Sequence, residues 1–95
     1  MSATPRVARH LVVHGRVQGV FFRSTTRELA LRHGADGWVR NRPDGTVEAW
    51  LEGDDESVAA VEAWIRAGGP SSATVRDVVA SPAEPAGYRG FEITG

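Results

Sequence analysis

The chain has 95 residues, 41% apolar and 24% charged, with a formal net charge of -1; that composition predicts one domain over residues 1–95 and excludes wholesale disorder. The near-zero charge offers no global attraction to nucleic acid or an anionic membrane, and no apolar run is long enough to span a bilayer. All 11 Lys-or-Arg residues are arginine and there is no cysteine, so disulfides, thiolate chemistry and a lysine nucleophile are excluded.

Met1 to Pro5 lacks the apolar core of a signal peptide, and the expected location is the cytoplasm. Val7 to His14 predicts a strand, with Val7, Leu11 and Val13 on one face and Arg9 on the same side. Arg23 to His33 predicts a helix whose inner side carries Phe22, Thr26, Leu29, Ala30 and His33, closed by Gly34. Gly37 to Asn41 and Thr46 to Glu52 predict two strands joined by Arg42-Pro43-Asp44-Gly45, a strong turn signal. Asp54 or Asp55 caps a second helix that runs to about Arg66 and turns Val58, Val61 and Ile65 inward; Gly68-Gly69-Pro70 ends it. Thr74 to Ala80 predicts a further strand, Ser81 to Gly90 a loop, and Phe91-Glu92-Ile93 a last short strand.

The order is β-α-β-β-α-β with one additional short strand, which predicts an α+β fold of the ferredoxin-like, split βαβ kind: a mostly antiparallel sheet with two helices on one face. In that arrangement the first two strands run in the same direction. Gly15 ends the first and Asn41 ends the second, so the loop after Gly15 and the Asn41 side chain should meet at one edge of the sheet.

That loop is His14-Gly15-Arg16-Val17-Gln18-Gly19-Val20-Phe21-Phe22-Arg23. Gly15 and Gly19 permit positive φ and close backbone approach. Successive amides over Arg16, Val17, Gln18, Gly19 and Val20 can point into one concavity that suits an oxyanion, and the helix that follows adds its free N–H groups and dipole. Arg23 opens that helix, where a cation opposes the dipole, and the first acid met is Glu28. Taken singly, the two glycines read as turn residues and Arg23 as a solvated group. Together with Asn41 they predict an anion site in which Arg23 offers a planar fork of donors.

The stretch from Gly15 to Arg23 resembles the signature of the acylphosphatase family, G-R-V-Q-G-V-x-F-R. A second family block, G-W-V-x-N-x-x-D-G-x-V, is matched by Gly37-Trp38-Val39-Arg40-Asn41-Arg42-Pro43-Asp44-Gly45-Thr46-Val47, and the ending from Glu84 to Ile93 is also similar. The resemblance covers nearly the whole chain. It implies the ferredoxin-like fold and hydrolysis of acyl phosphates to a carboxylate and inorganic phosphate. It further implies that Arg23 binds the phosphoryl group, that Asn41 orients the attacking water, and that the amides from Arg16 to Val20 complete the cradle. Ser24 and Thr25 after Arg23, and Arg42 after Asn41, depart from common family residues and bear on substrate preference or rate.

The scheme calls for no metal and no cofactor. His10, His14 and His33 form no ligand set, and the Asp54-Asp55-Glu56 run reads as a capped helix start. An alternative class, RNA binding, rests on Trp38, Arg40 and Trp50 sharing the helix-free face of the sheet, where bases could stack. Glu48 and Glu52 flank Trp50 there, and tryptophans that simply cover the sheet are the favoured reading. Two further alternatives are an acylphosphatase-like domain within a larger carbamoyl-transferring protein and a phosphate binder without turnover. The start at Met1 and the end just past the last strand favour a free-standing enzyme, and the intact Arg23 and Asn41 favour turnover. A monomer acting on a small acyl phosphate, with no nucleic-acid or membrane partner, is the expectation.

Overall fold

The alternating apolar residues of the first strand build one wall of the core. In the computed structural model, which describes residues 5–95, β1 (Arg6–Arg16) turns Leu11 and Val13 into the core, with Val7 packed against it. The elements that follow are α1 (Phe22–His33), β2 (Asp36–Asn41), β3 (Val47–Asp54), α2 (Asp55–Arg66), β4 (Thr74–Ala83) and β5 (Phe91–Ile93). The signal-peptide reading of Met1 to Pro5 falls largely outside the described residues. No helix among the described residues is long and apolar enough to cross a membrane.

The sheet order is β4-β1-β3-β2-β5, antiparallel except where β5 runs parallel to β2. β1 and β2 both run antiparallel to β3, so they share a direction and their C-terminal ends lie at one edge. This is the expected α+β, ferredoxin-like sandwich. The core between helices and sheet is formed by Leu11, Val13, Val39, Val47, Ala49 and Leu51 from the strands and by Phe22, Ala30, Val58, Val61 and Ile65 from the helices.

Two details differ from the expectation. α1 buries Phe22, Thr26 and Ala30, but Leu29 is only half-buried and His33 is exposed. The inner stripe follows an i, i+4 row, and His33 lies in the last turn, where the chain leaves the sheet at Gly34. β4 continues through Ser81, Pro82 and Ala83, which face His10, Arg9 and Ala8 of β1. Pro82 is tolerated because β4 is an edge strand, where a residue without an N–H need not interrupt a ladder.

The helix-free face is covered by the chain itself. Trp38 and Trp50 pair across β2 and β3 and stack with centroids 6.4 Å apart. Arg40 lies over the Trp38 ring at 5.6 Å. Tyr88, from the segment between β4 and β5, meets Trp50 edge-on at 6.0 Å. Glu52 is fully buried beneath that segment, where its carboxylate accepts the amides of Ala86, Gly87 and Tyr88 and the indole N–H of Trp50. The tryptophans therefore serve as sheet cover, packed against the chain's own loop.

Candidate active site

The loop between β1 and α1 is held by its own valines. Val17 and Val20 are buried in the core, which turns the intervening backbone outward. Gly15 sits at a bulge between β1 and β4, where a Cβ would lie 2.1 Å from the Thr74 carbonyl oxygen. Close strand contact and a φ of +133 together explain this glycine. Gly19 has φ +72 with open space around it, so backbone conformation is its constraint. The Ser72 hydroxyl donates to the Val20 carbonyl at 2.6 Å and ties the loop down from the other side.

Gln18 joins this loop to the neighbouring turn. Its Nε2 donates to the carbonyls of Arg42 at 2.8 Å and Thr46 at 2.9 Å. The turn is itself braced, since Asp44 accepts both the amide and the hydroxyl of Thr46. Those two hydrogen bonds, the hydroxyl's above all, hold the Asp44 carboxyl below its usual range.

The two helices begin in opposite ways. α2 has a conventional start: Asp54 accepts the Ser57 amide at 2.8 Å, and Asp55 and Glu56 occupy the first turn. α1 has no side-chain cap and no acid in its first turn. Its N-cap is Phe21, the one non-glycine residue with positive φ among those described. No hydrogen bond found among the described residues is donated by the main-chain amides of residues 17–23. Phe22 points inward against Trp64, at 6.1 Å between centroids. Arg23 points outward, and none of the ion pairs among the described residues involves it.

Arg23 and Asn41 line one concavity of about 340 Å³, together with Val17, Gly19, Phe21, Phe22, Ser24 and Ile93. Asn41 Oδ1 is buried and has no hydrogen-bond partner. A buried amide oxygen without a partner costs roughly 1–3 kcal/mol, so this atom favours a donor brought into the concavity. Free amides, a helix N-terminus and an unpaired guanidinium supply positive potential beside it. Among the described residues there is no group of three or more His, Asp or Glu side chains placed to hold a metal ion.

The structure thus brings Arg23, Asn41, Val17 and Gly19 to one place. Gly15 has no side chain and Val20 turns into the core, so any part these two take is through the main chain, whereas Arg16 ends β1 exposed and outside the lining. Gln18 acts as a tie between segments. Ser24, expected to bear on substrate preference or rate, is among the lining residues, whereas Phe21 and Ile93 were not expected there. Phe21 had a signal, the variable position in the first block, whereas Ile93 comes in only by the parallel pairing of β5 with Val39 of β2.

Fold and site together define a ferredoxin-like α+β sandwich with a concavity lined by Arg23 and Asn41 at the edge where β1 and β2 end. A family model described as acylphosphatase matches residues 9–93. The acylphosphatase of Thiobacillus denitrificans is 55% identical over 83 residues, spanning 87% of this chain and 91% of that protein. That of Thermococcus kodakarensis is 49% identical over 90 residues, spanning 95% and 98%. A solved acylphosphatase structure from Coxiella burnetii matches with a TM-score of 0.88 at 32% identity, covering 94% of this chain and 93% of that one. The chain belongs to the acylphosphatase family.

Proposed function

We propose that this protein hydrolyses acyl phosphates to a carboxylate and inorganic phosphate in the concavity lined by Arg23 and Asn41. The observation that carries the reading is the convergence there of an unpaired arginine, undonated amides and a buried, unpartnered amide oxygen. Phosphoryl transfer asks chiefly for positioning and charge stabilisation. The Arg23 fork and the amides of residues 17–23 bind the phosphoryl oxygens and stabilise the charge that develops on them. Asn41 Oδ1 accepts a hydrogen bond from the attacking water and sets it in line. Water adds to phosphorus as the bond to the acyl oxygen breaks. The carboxylate leaves with the electron pair, and one water proton passes to a phosphoryl oxygen. Asn41 is a poor proton acceptor and acts by orientation. A carboxylate is a good leaving group, so neither a general acid nor a metal is called for. The reading includes residues 1–95 as one domain and a cytoplasmic monomer acting on a small molecule.

The test is hydrolysis of benzoyl phosphate by the purified protein in the presence of chelator, beside Arg23→Ala and Asn41→Ala. Turnover that survives chelation and is lost in both variants is expected. Turnover retained in either folded variant removes that residue from the scheme, and turnover that chelation abolishes overturns the metal-free mechanism.

A further inference from the structure

Among the described residues the exposed large apolar side chains are Phe21, Leu31, Val79, Tyr88 and Ile93. Two of these five, Phe21 and Ile93, line the Arg23–Asn41 concavity. Phe21 is 78% exposed although a ring of that size gains most from burial. Its backbone is left-handed, with φ 62 and ψ 21, a conformation that disfavours any residue with a Cβ. That conformation is locked. The Phe21 carbonyl accepts the Thr25 amide at 3.1 Å and the Ser24 hydroxyl at 3.2 Å, so rotating it out would break the first turn of α1. Phe22 fills the core beside it, which leaves the Phe21 ring no inward place.

We propose that Phe21 is the residue that selects the acyl side of the substrate, its ring packing against the organic group while Arg23 holds the phosphoryl group. The proposal rests on the acyl phosphate reading of the concavity. Arg23 is two residues away on the first turn of the same helix, so a phosphoryl group on its guanidinium places the acyl group beside the Phe21 ring. Ile93 supplies apolar surface to the same concavity from β5. The class favoured is aryl and bulky alkyl acyl phosphates over acetyl phosphate, because an acetyl group has little apolar surface to bury.

The experiment measures kcat/KM for benzoyl phosphate and for acetyl phosphate in the wild type and in Phe21→Ala, Phe21→Gly and Phe21→Tyr. The readout is the benzoyl-to-acetyl ratio, so a general loss of activity cancels. The ratio is expected to fall about tenfold in the alanine and glycine variants, the size of one aromatic contact, and to hold in Phe21→Tyr. Phe21→Gly relieves the left-handed backbone, so it folds even if the alanine variant does not. An unchanged ratio in the glycine variant, with wild-type turnover of both substrates, overturns the role of Phe21 alone. Wild-type turnover of neither substrate overturns the reading of the concavity, and this proposal with it.

Discussion

The side-chain amide of Gln18 donates to the Arg42 carbonyl at 2.8 Å and so fastens the loop that leads to Arg23 onto the turn that follows Asn41. Loop and strand end become one unit, and the two residues proposed to act on the substrate keep a fixed separation. Gln18→Ala is therefore expected to lower kcat/KM about tenfold, the scale of a small misplacement of reacting groups. It should also cost about 1 kcal/mol of stability. Steady-state kinetics beside a denaturant titration checks this, and unaltered kinetics would show that the buried valines hold the loop unaided.

Arg23 and Asn41 should fail differently. Arg23→Ala is expected to lose roughly 3 kcal/mol or more of transition-state stabilisation, by analogy with removal of an oxyanion donor. Competitive inhibition by inorganic phosphate should disappear with it. Asn41→Ala should lower kcat while phosphate inhibition persists. Measuring both inhibition constants decides the matter, since the opposite pattern reverses the two roles.

Glu52 links stability to pH. Burial pushes its carboxyl up, but the Trp50 indole, the amides of Ala86 and Gly87 and the Arg6 guanidinium outweigh burial and bring it from 4.5 to about 2. A depressed folded-state value adds stability above the unfolded value, and the addition is lost as pH falls through the folded one. At about 1.4 kcal/mol per unit the shift corresponds to ~3 kcal/mol, present at neutral pH and lost between about pH 5 and pH 2. Glu52→Gln should be less stable than the wild type at pH 7 by about that amount, with the gap closing in acid. Parallel stability curves from pH 7 to pH 2 would refute the assignment.

The two loop glycines both hold a positive φ, +133 at Gly15 and +72 at Gly19, and differ in close contact. Gly15→Ala drives a Cβ to 2.1 Å from the Thr74 carbonyl oxygen, so a loss of about 3 kcal/mol is expected. In a domain of this size that lowers Tm by ~15 °C. Gly19→Ala meets no atom within 4 Å and bears only the left-handed penalty at φ +72, on the order of 1 kcal/mol. Thermal melts of the two variants should rank in that order, and equal losses would contradict the contact at Gly15.

The element order, most of the inward faces and the place where Arg23 and Asn41 meet were legible in the residues alone. Period-two and helical repeats are local signals, and a βαββαβ order leaves few topologies, one of which sets the ends of β1 and β2 side by side. Contacts that cross from one segment to another emerged with the packed fold. The Gln18 tie spans 24 residues, and the Glu52 cradle spans 34 residues to Ala86. The continuation of β4 through Pro82 depends on its being an edge strand, and the exposure of Phe21 depends on Phe22 already filling the core. A polar side chain reads as a surface residue in the sequence until the fold brings distant backbone groups to it. That is why Gln18 and Glu52, which organise the site and the opposite face, carried no local sign of their partners.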